Sequence, residues 1–170
     1  MLHLPQGKGN HLHQPPRAHH CVFCDKCILK RDHHCPWIMN CVGYKNYKCF
    51  LMMLFWISIS CLFIMGTYWM PFYYVMVNPR TSLIRCYVVT LEYLVSIAMG
   101  IAIIYFLSFH VWIICKGMTT AEYNVACHTD RGNPKSDYEG SVGDNLKDVF
   151  GDSLLEWLIP ISMCVSRFEE

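Results

Sequence analysis

Charged side chains are scarce in this sequence. Asp, Glu, Lys and Arg make up 16% of its 170 residues, whereas about 25% is usual in a globular domain. The chain is 54% hydrophobic and 14% aromatic, which excludes intrinsic disorder, since disordered segments are rich in charge and poor in aromatic residues. Neither sign of charge is in excess, because 14 basic and 13 acidic residues leave a net charge of +1. We therefore expect no nucleic-acid partner, which would need a broad positive field.

Two long stretches lack charge altogether. Residues 50–77 and residues 93–115 contain no Asp, Glu, Lys or Arg. A membrane-spanning helix needs roughly 20 predominantly apolar residues, so each stretch is long enough to cross a bilayer. A pair of buried core helices is the alternative, but it would leave too little polar chain to cover them. The sequence therefore predicts an α-helical integral membrane protein with two transmembrane helices.

Basic residues are unevenly distributed around these stretches. Residues 1–49 carry seven Lys and Arg and residues 116–170 carry five, whereas the connection 78–92 carries two. The positive-inside rule then predicts that both termini lie in the cytosol and that the connection lies on the lumenal or outer side.

The tail after the second stretch has two parts. Residues 131–143 hold three Gly and one Pro and are typical of a loop. Residues 145–161 carry apolar side chains near helical spacing, which predicts one short helix that ends at Pro160. This helix is too short to span a bilayer.

Cysteine and histidine are concentrated in one short segment. Six of the 11 Cys lie within residues 21–49, and residues 19–41 contain two His-His pairs. Such a cluster suits disulfides or metal ligation, and thiolates and imidazoles two or three positions apart can surround a tetrahedral ion. Because cytosolic glutathione keeps thiols reduced, the predicted orientation favours zinc and a small, loop-rich zinc-binding domain on the cytosolic side.

One group in this cluster offers more than metal ligands. Asp32, His33, His34 and Cys35 place a carboxylate, two imidazoles and a thiol side by side, which supplies an orienting acid, a base and a nucleophile. A purely structural zinc site is the alternative, and ligand count alone favours it. Spacing does not decide which Cys remains for catalysis.

Four motifs occur in order along residues 15–161. The first runs from Pro16 to Cys27, the second from Asp32 to Phe50, the third from Thr119 to Glu122, and the last comprises residues 145–152 and 157–161. The residues of the first two motifs are Pro16, Arg17, His19, His20, Cys21, Cys24, Cys27, Asp32, His33, His34, Cys35, Pro36, Trp37, Asn40, Cys41, Val42, Gly43, Asn46 and Phe50. Together the motifs resemble the DHHC protein S-acyltransferases (palmitoyltransferases), with their Cys-rich domain, TTxE element and C-terminal motif.

The resemblance implies a protein S-palmitoyltransferase. It implies that Cys35 takes a long-chain acyl group from acyl-CoA as a thioester and passes it to cysteines of substrate proteins. His33 would be the base of Cys35, and Asp32 would hold the His33 ring. A thiol needs only a modest fall in pKa to become a good nucleophile, so the chemistry suits these residue types.

Further residues are candidates for holding the acyl-CoA. Three basic residues beside the site are candidates for contacts with the CoA phosphates, namely Arg17, His19 and Lys26. Trp37 is a candidate for lining the acyl cavity, together with apolar residues of the first stretch such as Phe55, Ile59 and Phe63.

Two zinc ions bind in this family, outside the reaction centre. The resemblance implies one complete site at Cys21, Cys24, His34 and Cys41. A second site would use His20 and Cys27 with an upstream Cys pair, but Gly7 and Asn10 stand in the two corresponding positions and cannot bind zinc as thiolates do. Substitution of that pair is an alternative, offered by His3, His11 and His13.

The family resemblance also divides the chain. The predicted segments are a non-family segment 1–14, the Cys-rich zinc domain 15–49, transmembrane helices 50–77 and 93–115, a lumenal connection 78–92 and a cytosolic tail 116–170. Members of the family have four membrane helices, and this chain supplies two of them. A second hypothesis is therefore a membrane-anchored zinc module that is catalytically weak or inactive and binds substrates or family partners.

The resemblance implies further properties of the whole protein. The expected partners are palmitoyl-CoA, substrate proteins with exposed Cys and the lipid bilayer. The expected location is the Golgi or the endoplasmic reticulum, with the plasma membrane as an alternative. Thr120 and Asn145 resemble bracing residues that tie the tail to the site, whereas we expect His110 to be a helix-end imidazole near the membrane interface.

Overall fold

The structure is a computed structural model and describes residues 15–129, 136, 138 and 140–159, apart from the side chains of residues 129, 154 and 158. The predicted segment 1–14 and Pro160 therefore lie outside the described residues, as do His3, His11 and His13. The chain forms two compact units. One combines the chain up to Phe50 with the chain from His110 onward, and the other is Leu51–Phe109.

Two small β-hairpins begin the first unit. Strands β1 (Ala18–Cys21) and β2 (Lys26–Leu29) pair antiparallel, and so do β3 (His33–Cys35) and β4 (Asn40–Val42). One turn of 3-10 helix, Pro36–Ile38, lies between β3 and β4. An isolated two-stranded hairpin is marginally stable in water, so strands of three and four residues need a further cross-link.

Two long apolar helices confirm the predicted membrane architecture. Helix α1 spans Tyr47–Val77 and helix α2 spans Leu83–Cys115. Only 22% of the most apolar window of each helix is buried, whereas core helices of a soluble protein would be mostly buried. The exposed side chains include Phe55, Ile59 and Phe63, the predicted cavity residues.

Helix α2 begins ten residues before the predicted span, at Leu83 instead of residue 93. Glu92 borders the uncharged stretch and Arg85 lies further upstream, but both residue types are compatible with a helix, so α2 includes them. Within the second unit, the rings of Phe72 on α1 and Tyr93 on α2 stack at 4.8 Å between centroids. The two helices therefore form a hairpin.

Three short helices follow in the first unit: α3 (Thr120–Thr129), α4 (Val142–Phe150) and α5 (Leu154–Leu158). The prediction of one helix over 145–161 was wrong. Gly151 adopts a φ of 99°, a conformation that ends α4. The hydroxyl of Ser153 then accepts a hydrogen bond from the Leu155 N–H and caps the start of α5.

Candidate active site and metal centre

Strand β3 separates neighbouring residues into two sites. Successive side chains of a strand point to opposite faces, so His33 and Cys35 share one face and His34 points to the other. In the register of the hairpin, His34 stands opposite Cys41. One short run of sequence therefore serves two sites, which is why spacing alone could not assign it.

His34 and three cysteines form the candidate metal centre. The ligand atoms of Cys21, Cys24, His34 and Cys41 all lie within 4.8 Å of one another. From Nδ1 of His34, the three Sγ atoms are 3.6, 3.4 and 3.7 Å away, in chain order. A tetrahedral zinc ion with bonds of about 2.3 Å to sulfur sets neighbouring ligand atoms roughly 3.7 Å apart. The cluster could therefore bind a metal ion of this size.

The electrostatics of the thiols also fit a cation. Burial raises the pKa of Cys21, but hydrogen bonds from the backbone of Cys24 and from the side chain of Cys41 help to bring that pKa below its usual value. Burial, together with the thiols of Cys21 and Cys24, raises the pKa of Cys41 to about 12. A thiolate at one cysteine thus raises the pKa of the neighbouring thiol. A bound cation offsets this effect, because it stabilises every thiolate that ligates it.

For the second predicted zinc site, the described residues supply two ligands, His20 and Cys27. His20 and Cys27 are opposite each other on β1 and β2, and Nδ1 of His20 lies 3.7 Å from the Cys27 Sγ. In the part of the chain that the structure describes, no group of three ligands includes them. The second zinc site stays a prediction.

Asp32 is the centre of the other site. Its side chain is buried, with 3% of the residue exposed. Oδ2 lies 2.7 Å from the His33 Nδ1 and accepts a hydrogen bond from the Thr120 hydroxyl at 2.8 Å. Oδ1 accepts from the Thr120 backbone N–H at 2.7 Å. These contacts confirm the expectation that Thr120 braces the site.

The hydrogen bonds determine the ionisation of Asp32 and the position of the proton on a neutral His33 ring. Burial raises the pKa of Asp32, but the hydrogen bonds from His33 and Thr120 outweigh it and hold the pKa below its usual value. Asp32 is thus an ionised acceptor at neutral pH, and the proton of a neutral His33 ring lies on Nδ1. Its Nε2 is then the basic nitrogen.

Cys35 ends β3 on the His33 face. The residue is buried, with 4% exposed, and it precedes the 3-10 helix whose second residue, Trp37, is 92% exposed. The His33 ring packs edge-to-face on Phe50, with 5.2 Å between centroids. The predicted acid thus immediately precedes β3, and the predicted base and thiol lie on one face of that strand.

Arg17 has a role that the sequence did not indicate. Its Nε and Nη2 donate to the two carboxylate oxygens of Glu122, each at 2.6 Å, and Nη2 also donates to the Gly117 carbonyl at 3.0 Å. Glu122 in turn accepts from the Thr119 N–H at 2.8 Å, and the Thr119 hydroxyl accepts from the Glu122 N–H at 3.3 Å. This capping box starts α3 and positions Thr120.

The other candidate CoA contacts lie at the surface. His19 and Lys26 are exposed on the first hairpin, on β1 and β2 respectively. The guanidinium of Arg17 is largely occupied by Glu122, and 15% of its side chain is exposed. A contact of these three residues with CoA stays a prediction.

Sequence analysis missed His110. We expected an imidazole at the membrane interface, but the residue is completely buried beside the site. Its Nδ1 lies 3.0 Å from the Tyr47 hydroxyl and 3.9 Å from Oδ2 of Asp32, and its ring is 5.8 Å from the His33 ring. The signal was available, since His110 is the single histidine in an otherwise apolar stretch, and such residues are often functional.

Asn145 connects the tail with the second long helix. Its Nδ2 donates to the Cys115 carbonyl at 3.3 Å, at the end of α2. Gly117 follows with a φ of 66°, which turns the chain towards Thr119. A Cβ on Gly117 would lie 3.0 Å from the Tyr138 carbonyl, so this turn favours glycine sterically as well. Asn145 thus ties the tail to the end of α2, and its expected role in bracing the active site itself stays a prediction.

Comparison with known proteins agrees with this geometry. A family model described as DHHC palmitoyltransferase matches residues 8–126. Human Palmitoyltransferase ZDHHC20 is 39% identical over 148 residues, which cover 87% of this chain and 40% of that protein. Palmitoyltransferase ZDHHC2 of Danio rerio is 34% identical, with 87% and 41% covered, and human ZDHHC2 is 35% identical, with 87% and 40% covered. The chain thus spans about two fifths of the length of these relatives.

Proposed function

Since the chain belongs to the DHHC palmitoyltransferase family, we propose that it transfers a long-chain fatty acyl group from acyl-CoA to cysteine side chains of substrate proteins. The observation that carries this proposal is the 2.7 Å contact between Asp32 and His33, with a buried thiol two residues further along the chain. A carboxylate, an imidazole and a thiol in this order are the components of nucleophilic catalysis by cysteine.

The first half of the reaction loads the enzyme. Nε2 of His33 takes the proton of the Cys35 thiol, and the thiolate attacks the carbonyl carbon of the acyl-CoA thioester. The bond from that carbon to the CoA sulfur breaks, and the CoA thiolate leaves with the proton from His33. The acyl group is then held as a thioester on Cys35, and Asp32 keeps the His33 ring in the orientation that both proton transfers need.

The second half releases the product. The thiol of a substrate protein gives its proton to His33 and attacks the acyl carbon on Cys35. Cys35 leaves as a thiolate and recovers the proton. One thioester replaces another in each half, so the rate depends on activating and positioning the thiols.

We further assign zinc to Cys21, Cys24, His34 and Cys41. An ion there would supply a cross-link between the two hairpins, because its ligands lie on or next to both. Its position on the opposite face of β3 from Cys35 leaves the catalytic thiol available. A second ion at His20 and Cys27 would need ligands from elsewhere in the chain.

The proposal is tested by trapping the loaded enzyme. With an alkyne analogue of palmitoyl-CoA, the purified chain should acquire a hydroxylamine-sensitive label, which Cys35→Ser abolishes and His33→Ala slows strongly. Cys49→Ser is the matched control, because it removes a different thiol and should leave the label intact. Label that persists in Cys35→Ser would refute the assignment of the nucleophile.

The comparisons do not favour the non-catalytic zinc module. That hypothesis gives no role to the hydrogen bonds around Asp32, which orient the imidazole of His33. A cytosolic site with both termini on that side, in the Golgi or endoplasmic reticulum, completes the proposal. The charge distribution supports the orientation.

A further inference from the structure

A cavity of about 250 Å³ lies behind the active site in the first unit. Asp32 forms part of its wall, so a bound molecule would lie next to the carboxylate that orients His33. The wall also includes Lys48, the second residue of α1, and the turn that follows α2. None of the catalytic steps proposed above uses this cavity.

Lys48 is the feature of the cavity that needs an explanation. It is 5% exposed, and among the described residues it has no hydrogen-bond or ion-pair partner. A lysine that is so enclosed by protein and has no acidic partner is costly, because it loses much of its hydration and gains no compensating contact. A lysine in this setting is expected to have an anion as its partner.

The remaining charges of the wall do not supply that anion. Each is in contact with another group: Lys30 with Asp148, Arg17 with Glu122, Asp32 with His33 and Thr120, and Asp144 with the Ser141 hydroxyl. Of the three basic residues in the wall, Lys48 is therefore the one that these contacts leave without an acidic partner.

The sequence places this cavity at the depth of the lipid headgroups. Lys48 lies two residues before the uncharged stretch that begins at Phe50, and Ile114, another wall residue, is the penultimate residue of α2. Tyr44, Tyr47 and Tyr138 also line it, and tyrosines are typical of the boundary between hydrocarbon and headgroups. Lysine at this depth meets lipid phosphates.

The volume of the cavity favours a phospholipid over CoA as the source of the phosphate. Pockets for drug-sized ligands occupy roughly 300–1,000 Å³, so 250 Å³ is small for the nucleotide of CoA. It suits a single phosphate with the glycerol end of a lipid. We propose that the cavity binds the phosphate of an anionic phospholipid, with Lys48 as its charge partner.

The first experiment counts bound lipid. The zinc-loaded full chain is placed in nanodiscs of phosphatidylcholine with and without phosphatidic acid, and native mass spectrometry measures the lipid that it retains. The parent should retain phosphatidic acid, and Lys48→Met should weaken that retention about tenfold or more, since it removes a charged hydrogen bond. Lys45→Met is the matched control, because Lys45 is exposed three residues away and should leave retention unchanged.

The second experiment separates lipid binding from a purely structural role. Met has a similar length and no charge, so Lys48→Met should unfold at the same or a higher temperature than the parent in phosphatidylcholine alone. The same variant should lose the stabilisation that phosphatidic acid gives the parent. Destabilisation of Lys48→Met in both lipids would show that Lys48 is structural and overturn the proposal.

Soluble anions provide the remaining comparison. Inorganic phosphate or CoA is added to the parent in phosphatidylcholine nanodiscs, where we expect no stabilisation that depends on Lys48. Stabilisation by phosphate alone would assign the cavity to a free phosphate, and stabilisation by CoA would assign it to the acyl donor. Either result would overturn the lipid assignment. Neither result tests the role of Cys35 as the nucleophile, so the two proposals can fail separately.

Discussion

At the scale of single residues, the site depends on the Asp32 carboxylate, both of whose oxygens have hydrogen-bond partners. Asp32 accepts from Thr120 twice and contacts His33 once, and these contacts hold both of its oxygens. These partners hold the Asp32 side chain in one orientation, and its contact with Nδ1 in turn orients the His33 ring. Thr120, 88 residues away in sequence from Asp32, therefore helps to fix the orientation of the His33 ring.

Thr120→Val tests this dependence. The change keeps the shape and the backbone N–H of the residue but removes the hydroxyl that donates to Asp32. A hydrogen bond to a charged group contributes about 1.5–3 kcal/mol, so we expect acylation of Cys35 to slow by roughly tenfold or more. Single-turnover labelling measures this rate. Thr120→Ser retains the hydroxyl and should stay near the parent rate; an equal loss in both variants would argue against the hydrogen bond.

His110 is a positioning residue in the same cluster. Its ring lies between the Tyr47 hydroxyl and Asp32, and it packs edge-to-face on Phe50 at 5.3 Å between centroids. We expect His110→Phe to slow acylation of Cys35 by about fivefold or more, since it removes a polar contact worth about 1 kcal/mol beside the carboxylate.

Double substitution separates positioning from packing. His110→Phe alone leaves the Tyr47 hydroxyl without its imidazole, whereas His110→Phe with Tyr47→Phe removes both polar groups and should recover thermal stability. If His110 positions the site, acylation stays slow in the double variant even though stability returns. Recovery of the rate together with stability would show that His110 matters only for packing.

At the scale of elements, a bound metal ion would compensate for very short strands. The hairpins have three or four residues in each strand, and their ligands Cys21, Cys24, His34 and Cys41 converge on one point. A metal ion at that point would cross-link the two hairpins. We therefore expect the Cys-rich segment to lose its fold when the metal is removed.

Zinc content tests which hairpin residues matter. Purified protein should contain about one tightly held zinc ion, and Cys41→Ser should release it, since three ligands bind far more weakly than four. Cys27→Ser is the matched control and should retain the ion, because Cys27 is outside the cluster of four. A ratio near two that falls to one in Cys27→Ser would instead establish the second site. Atomic absorption measures the ratio.

The sequence predicted some elements better than others, for physical reasons. The two long helices were predictable because an apolar run of such length indicates a segment that lies in the lipid bilayer, where the backbone must form a helix. The break at Gly151 was not, because the flanking apolar pattern continues across it and one backbone angle ends the helix. The split of His33, His34 and Cys35 between two sites depends on a three-residue strand that no periodicity could reveal.

Contacts over long sequence distances were the least predictable part of the site. Arg17 and Glu122 are 105 residues apart, and local pattern carries no information about such a pair. Thr120 was anticipated only through resemblance to a family. The single histidine of an apolar helix had two interpretations, interface or site, and the buried cluster around Asp32 decides between them.

At the scale of the whole molecule, charge asymmetry orients the helical hairpin. Of the 14 basic residues, 12 precede α1's uncharged stretch or follow α2, and only Arg80 and Arg85 lie in the connection and at the start of α2. Lys and Arg near the ends of membrane helices are retained on the cytosolic side during insertion. Both the thiol cluster and the tail with Thr120 should then face the reducing cytosol, where cysteines remain available for metal and acyl groups.

Epitope tags provide the test of this orientation. Tags at the N-terminus and the C-terminus should be digested when protease is added to intact microsomes, because both ends face outward there. A tag inserted between Pro79 and Arg80 should be protected until detergent opens the membrane. Protection of one terminus would mean an odd number of spans, and protection of both would mean the opposite orientation. Either pattern would place the DHHC cluster or its bracing tail in the lumen, away from cytosolic acyl-CoA, and would contradict the proposed topology.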